Sequence, residues 1–362
     1  MGTTNHGSDR RPGIEPPVSL GAERVRHPGG IQDHLARKVA ECGGRTGAAL
    51  ELAVELGNAL PRPMEGRTLE LWDCLATIGA GNLTVARVVE PHLDAVAILA
   101  QSPATGTAHS GAVPDGSTWG VFAAEAREHN LVARRGGNAW TLHGRKPWCS
   151  LAGRLSHAVV TAHTDSGRRA FLVELGSPGV VVSAGQWGAL GLADVDSSPV
   201  QFDSVPAVPL GPAGWYFSRP GFAWGGVGVA AIWFGAATAI ARRIYAHSLS
   251  RDPDQIALMH LGQTDVALAS ARNALVLAAD IADGAGGGSG QVLAAARARA
   301  AVVRAAEEIQ TIAAHAMGPA PLAFDKEYAT RTADLQLYLR QDHAERSLAD
   351  IGRRLIQDGA RW

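Results

Sequence analysis

The chain has 362 residues, of which 46% are hydrophobic and 19% are charged, so it can form two or three packed units with a sizeable core. Its formal net charge of -1 argues against a nucleic acid or an anionic membrane as partner. The three cysteines, Cys42, Cys74 and Cys149, show no Cys-x-x-Cys spacing. This pattern argues against a disulfide framework or a zinc site and predicts a cytoplasmic protein.

Residues 1–30 are rich in Gly, Pro, Arg and His and contain no apolar core. They fit neither a signal peptide nor a membrane anchor, and we expect a disordered tail. Residues 31–112 then show helical periodicity, with apolar residues three and four apart in 50–56 and 71–78. Glu90-Pro91-His92 is expected to begin another helix, because proline is tolerated in a first turn. We predict an N-terminal helical domain here.

Residues 113–212 change to short alternating segments, separated by turns rich in Gly, Pro, Asp and Ser. Strands spaced in this way are typical of a β-sandwich or a β-barrel. The predicted strands are residues 119–122, 131–133, 140–142, 157–161, 170–174, 180–183 and 200–203.

The pattern of residues 213–362 predicts four Ala-rich helices, at 222–249, 255–281, 291–316 and 328–356. Helices of this length with short connections pack as an antiparallel four-helix bundle. The apolar stretch from Gly221 to Ala241 is dominated by Gly and Ala, so we interpret it as a buried bundle helix rather than a membrane span. The glycine-rich run 284–290 lacks Gly-Lys-Ser/Thr and is interpreted as an interhelix loop.

Helical domain, β-barrel and four-helix bundle, in this order, resemble the acyl-CoA dehydrogenase superfamily. The segment His143-Gly-Arg-Lys-Pro-Trp-Cys-Ser150 resembles the family's motif in which a Gly-x-Lys turn leads to Trp-Ile-Thr. The resemblance implies an α+β fold and FAD as cofactor. It implies that Trp148 stacks near the flavin ring and that Cys149 and Ser150 make polar contacts to it. For Trp148, the alternative is a core tryptophan of the barrel.

Further cofactor contacts follow from the same resemblance. Arg251 is similar to the family's arginine that reaches the flavin pyrophosphate of a neighbouring subunit, and Gln263 falls near a family glutamine. His315 and Gly318 match the helix and turn at the adenosine end of the cofactor. As alternatives, Arg251 interacts only with the dipole of its own helix, and His315 is simply a buried histidine.

The catalytic glutamate of the family is missing. It usually precedes Gly-Thr at the start of the last helix, where this chain has Arg340 and Gln341. In some members it lies on the first bundle helix, but residues 219–225 contain no carboxylate. The candidates for a catalytic base are therefore Asp342, His343 and His92. Asp342, with Glu345, and His343 are alternatively residues of a solvated helix surface, and His92 an ordinary helix residue.

The resemblance predicts an FAD-dependent oxidoreductase that acts on an acyl thioester or a related metabolite. It implies a homodimer or homotetramer formed through the C-terminal bundle, with a flavin reductase or an electron-transfer flavoprotein as partner. Two alternatives remain: the missing base favours the first, and loss of the family's Thr-Glu-Pro loop and Gln-Phe-Gly segment supports the second. One is a monooxygenase or N-hydroxylase that uses reduced flavin. The other is a flavin-free descendant that binds a substrate in the old pocket without redox chemistry.

Overall fold

The protein is described by a computed structural model that covers residues 13–21, 30–103, 113–127, 130–183, 185–284 and 289–359. Its N-terminal domain contains the helices α1 (Ile31–Cys42), α2 (Thr46–Ala59), α3 (Thr68–Gly81) and α4 (Leu83–Gln101). The expected helix start at Glu90 is wrong. Asn82 caps α4 instead, since its side chain accepts a hydrogen bond from the Val85 N–H at 3.0 Å, and Pro91 lies inside the helix.

Part of the predicted tail is packed into the protein. Residues 13–21 lie along α3, where the Leu20 N–H donates to Asp73 at 2.7 Å and the Val18 N–H donates to Thr77 at 3.1 Å. Leu20 is fully buried. The prediction of disorder is therefore wrong for these residues. Val18 and Leu20 are buried apolar side chains that anchor the segment. The rest of the predicted tail, 1–12 and 22–29, lies outside the described residues.

The middle domain is the predicted β-barrel. All seven predicted segments form strands: β1 (Trp119–Phe122), β2 (Leu131–Gly136), β3 (Ala139–Lys146), β4 (His157–Thr164), β5 (Gly167–Glu174), β6 (Val180–Val182) and β7 (Val200–Leu210). A ring of hydrogen-bonded neighbours, β4–β2–β3–β7–β5–β4, closes the sheet, with β1 parallel to β4 and β6 paired to β7.

The C-terminal part begins with a short turn of helix, α5 (Trp215–Ser218), and then forms the bundle from α6 (Phe222–Ser248), α7 (Gln255–Asp283) and α8 (Ser289–Met317). The predicted fourth helix is divided. It forms α10 (Lys326–Leu339) and α11 (Glu345–Gln357), preceded by the short α9 (Ala320–Phe324), and Ala344 at the break has a φ of 46°. Most of the predicted loop 284–290 lies outside the described residues.

Helix α6 is the centre of the molecule. By length and composition it could cross a membrane, but 78% of its most apolar window is buried inside the protein. Its backbone touches α3 through two glycines. A Cβ on Gly79 would lie 2.3 Å from the Ile232 carbonyl oxygen, and one on Gly235 would lie 1.9 Å from that of Ala76. The two helices therefore approach each other more closely than side chains would allow.

Candidate functional site

The end of β3 and the segment that follows it have an unusual backbone. Gly144 has a φ of 111°, and a Cβ there would lie 2.2 Å from the Asn130 carbonyl oxygen, so only glycine fits. Trp148 and Leu151 both have a φ of 57°, which is rare outside glycine and marks a tightly held loop. This turn presents the Trp148 side chain to solvent with 56% of its surface exposed. Trp148 is therefore not a core residue of the barrel.

Trp148 meets the edge of Trp187 at 6.3 Å between ring centroids. An exposed indole on a tightly held loop provides a platform on which a planar ring can stack. The position thus fits the flavin contact expected from the motif.

Cys149, the next residue, points into the barrel. Its Sγ lies 3.4 Å from the Lys146 carbonyl oxygen, and burial raises the pKa of the thiol to about 12. Lys146 is itself buried, and its Nζ donates to the carbonyl and hydroxyl oxygens of Thr161 at 2.7 and 3.0 Å. These two side chains hold the turn from inside, so a flavin could contact Cys149 only through its backbone.

Ser150 joins three parts of the protein. Its Oγ accepts a hydrogen bond from Nη2 of Arg87 on α4 at 3.0 Å and lies 2.7 Å from the Ser197 hydroxyl. The Arg87 guanidinium also lies over the ring of Tyr338 on α10, 5.6 Å from its centroid. The proposed polar flavin contact therefore sits where the barrel, the N-terminal domain and the bundle meet.

Asp342 is engaged in structural contacts. Its carboxylate accepts hydrogen bonds from Nε of Arg299 at 3.1 Å, the Ala344 N–H at 2.8 Å and the Ser347 hydroxyl at 3.3 Å. Asp342 is buried, contrary to the alternative of a solvated surface, whereas His343 is exposed. Arg340 at the family's base position forms an ion pair with Glu307. A role of Asp342 or His343 as a base remains a prediction, and these contacts do not favour it.

A group of largely buried charges lies on and beside α4 and was not predicted from the sequence. Glu90 and Asp94 are one helical turn apart, and Asp94 forms an ion pair with buried Arg219 at 3.2 Å. Burial, reinforced by the Asp94 charge, raises the pKa of Glu90 to about 7, and burial also raises the pKa of Asp94. The available signal was the spacing of Arg87, Glu90 and Asp94 along one helix.

His92 is separated from these charges. It packs against α2, where its Nε2 would lie 2.7 Å from a Cβ on Gly57, and only 2% of its surface is exposed. Burial lowers its pKa to about 4. Among the hydrogen bonds formed by described residues, none involves its Nδ1. The ring is thus neutral at physiological pH, and its proposed catalytic role remains a prediction.

The remaining predicted cofactor residues lie away from Trp148. Arg251, Gln263 and His315 are exposed on the bundle, so His315 is not the buried histidine of the alternative interpretation. Gly318 has a φ of 65° after α8, where glycine is favoured. Only the contact of Arg251 was predicted to reach the flavin of a neighbouring subunit, and no hydrogen bond or ion pair among the described residues links any of these four residues to Ser150.

The middle domain matches a known family. Residues 122–205 match the model of the acyl-CoA dehydrogenase middle domain. A comparison with curated protein sequences found no match.

Solved structures share the fold over almost the entire chain. KijD3, in complex with FMN and dTDP-3-amino-2,3,6-trideoxy-4-keto-3-methyl-D-glucose, is 20% identical with a TM-score of 0.75, covering 91% of this chain and 93% of its own. A glutaryl-CoA dehydrogenase from Mycobacterium smegmatis in complex with FADH2 is 19% identical with a TM-score of 0.74, covering 91% and 95%.

The methanesulfinate monooxygenase MsuC from Pseudomonas fluorescens is 17% identical with a TM-score of 0.69, covering 91% of this chain and 97% of its own. Dehydrogenases and a monooxygenase therefore share this arrangement of helical domain, barrel and bundle. The middle domain, residues 122–205, therefore belongs to the acyl-CoA dehydrogenase middle-domain family, and the chain as a whole has the fold of acyl-CoA dehydrogenases.

Proposed function

We propose that this protein is a flavin-dependent monooxygenase built on the acyl-CoA dehydrogenase fold. The observation that carries the proposal is that the Asp342 carboxylate is already engaged in hydrogen bonds. The carboxylate nearest to the family's base position is held by Arg299, the Ala344 N–H and the Ser347 hydroxyl. Removal of an α-proton from an acyl thioester requires a carboxylate free to approach the substrate. Oxygenation of a substrate by dioxygen, with electrons from reduced flavin, has no such requirement.

The flavin is held, in this proposal, against the turn that follows β3. Trp148 provides the stacking surface, and Ser150, fixed by Arg87 and Ser197, provides a hydroxyl at the ring edge. When bound in its reduced form, the flavin would supply the electrons for activation of dioxygen. The rigid, partly buried surroundings of Ser150 would exclude water from that edge. We favour FAD, as in the glutaryl-CoA dehydrogenase complex, although KijD3 was solved with FMN.

Arg251 and His315 enter the proposal through a second subunit. Both are exposed on the bundle, where a neighbouring copy could present them to the flavin pyrophosphate and adenine. We therefore propose a homodimer or homotetramer, with a flavin reductase as the source of reduced cofactor.

Dehydrogenation of an acyl thioester is the second candidate. One observation favours it, namely that the pKa of Glu90 is raised to about 7, a value suited to a general base at neutral pH. In this version Glu90 on α4 would replace the missing glutamate, and an electron-transfer flavoprotein would accept the electrons.

The test begins with absorbance spectra of the protein before and after incubation with FAD or FMN. We expect a flavin band to appear, and we expect it to persist when butyryl-CoA or glutaryl-CoA is added anaerobically. Chemically reduced flavin on the protein should reoxidise rapidly in air. Bleaching by an acyl-CoA would overturn the monooxygenase proposal in favour of dehydrogenation. Failure to bind either flavin would leave the flavin-free alternative.

A further inference from the structure

A small cavity lies beside Glu90, between the N-terminal domain and α6. It has a volume of about 40 Å³, which is room for roughly three water molecules or for a two-carbon diol of similar size. Its lining extends from exposed Arg62 in the α2–α3 loop to buried Glu90 and half-buried Asp94.

The cavity is bordered by two unsatisfied donors. The indoles of Trp72 and Trp224 line it, are fully buried, and have ring centroids 6.4 Å apart. Among the described residues, neither Nε1 has a hydrogen-bond acceptor. The Trp72 Nε1 lies 3.9 Å from the position of a Cβ on Gly228, a residue that also lines the cavity. A buried indole N–H without an acceptor is unfavourable, so these donors indicate a group that occupies the cavity.

The carboxyl groups of Glu90 and Asp94 both line the cavity. Asp94 is already paired with Arg219, whereas no described residue forms a salt bridge with Glu90. Glycine at position 225 keeps this wall accessible, since a Cβ there would lie 2.9 Å from Oδ1 of Asp94. The cavity lining therefore combines two indoles whose N–H groups lack acceptors with two carboxyl groups and apolar side chains.

This combination selects the chemistry of the occupant. A hydroxyl group can accept a hydrogen bond from an indole N–H and donate its own proton to a carboxylate. A carboxylate would meet Asp94 as a like charge, and an ammonium group would leave both indoles unsatisfied. We propose that the cavity is a subsite for a compact, hydroxyl-bearing end of the substrate, such as a vicinal diol.

Binding at this subsite is open to a test without flavin, whereas its role in holding a substrate rests on the proposed function. The indole N–H signals of Trp72 and Trp224 are followed in a ¹⁵N NMR spectrum while ethylene glycol is added. We expect saturable shifts of these two signals. The signal of exposed Trp148 should show only the gradual drift of a change in solvent.

Trp224→Phe removes one donor and keeps an aromatic ring in place, so glycol affinity should fall roughly fivefold or more. Trp187→Phe is the matched control, because the Trp187 N–H already donates to the Leu192 carbonyl at 3.1 Å and lies outside the cavity lining. It should leave the affinity unchanged. Equal weakening by both variants would overturn the assignment of the donors.

Two further probes separate the ligand classes in the wild-type protein. Saturable shifts with ethylammonium or acetate, but not with glycol, would contradict a hydroxyl subsite. No saturable shift with any probe would mean that the cavity holds water only and would overturn the proposal. The flavin spectrum of the same preparation tests the proposed function separately, so the two failures can be told apart.

Discussion

The carboxylate of Asp342 lies 3.1 Å from Nε of Arg299, in the gap between α10 and α11. Both side chains are largely shielded from solvent, with 5% and 20% of their surfaces exposed. Arg299 also donates to the Gly226 carbonyl at 2.7 Å and lies over the Trp233 ring. The pair therefore connects α8, α6 and the break before α11, which gives Asp342 a structural role.

Asp342→Ala should lower the free energy of unfolding by about 3 kcal/mol, because it leaves the Arg299 charge buried without its partner. Urea denaturation measures this change. Glu345→Ala, at an exposed carboxylate three residues away, is the control and should change stability by less than about 0.5 kcal/mol. An Asp342→Ala protein of unchanged stability that had lost turnover would instead identify Asp342 as a catalytic base.

Glu90→Gln should change how stability depends on pH. Burial raises the pKa of Glu90 from 4.5 to about 7, so its contribution is complete below pH 4.5 and is lost as the pH rises through about 7. The loss between these values amounts to up to roughly 3 kcal/mol. Glutamine cannot ionise, so the Glu90→Gln protein should not show this loss of stability.

The measurement is the free energy of unfolding of both proteins at about pH 5 and about pH 8. Glu308→Gln, at an exposed position of α8, controls for loss of a charge elsewhere. Parallel pH profiles for the wild-type protein and Glu90→Gln would contradict the raised pKa.

His92 should remain neutral in the folded protein down to about pH 5. Burial lowers its pKa to about 4, so the stability it contributes is present above its usual value of 6.5 and is lost as the pH falls towards 4. The NMR signals of its ring, assigned by comparison with His92→Gln, should not shift between about pH 8 and pH 5. Titration of His92 near its ordinary pKa would restore it as a proton carrier.

Trp148→Gly should weaken flavin binding by tenfold or more, the scale of a buried aromatic contact at a binding surface. Glycine accepts the positive φ of this position, so the fold should remain intact. Flavin fluorescence titration gives the affinity and thermal unfolding gives the stability. Leu190→Ala, in the neighbouring loop with 92% of its surface exposed, is the control. Undiminished flavin affinity would place the cofactor elsewhere.

The three cysteines should resist alkylation in the native protein. All of them are buried, and burial raises the pKa of Cys74 and of Cys149 to about 12. The reactive thiolate is therefore almost absent near neutral pH. Iodoacetamide followed by intact-mass measurement should find no labelling until the protein is denatured. Rapid labelling of Cys149 would contradict its position inside the barrel.

The strands of the barrel could be predicted from the sequence because each is marked locally. Alternating apolar residues form the strands, and Gly, Pro and Asp mark the turns between them. The motif that ends in Trp148-Cys149-Ser150 was also visible in the sequence, since it depends on consecutive residues.

The break in the last helix could not be predicted in this way. It depends on Asp342, whose carboxylate is engaged by Arg299, a residue distant in sequence on α8. The buried charges were missed for the same reason. Glu90 appeared to be a helix-start residue, and its burial becomes evident only when α6 packs across α4. Such tertiary contacts override local patterns.

The glycine contacts between α3 and α6 have a consequence for folding. Because Gly79 and Gly235 bring the two backbones into direct contact, neither helix retains its shape-matched partner if the other melts. The N-terminal helices and the bundle should consequently lose their structure in one cooperative transition, although long stretches of sequence separate them. Even a single added methyl group at either glycine would force the pair apart and divide that transition in two.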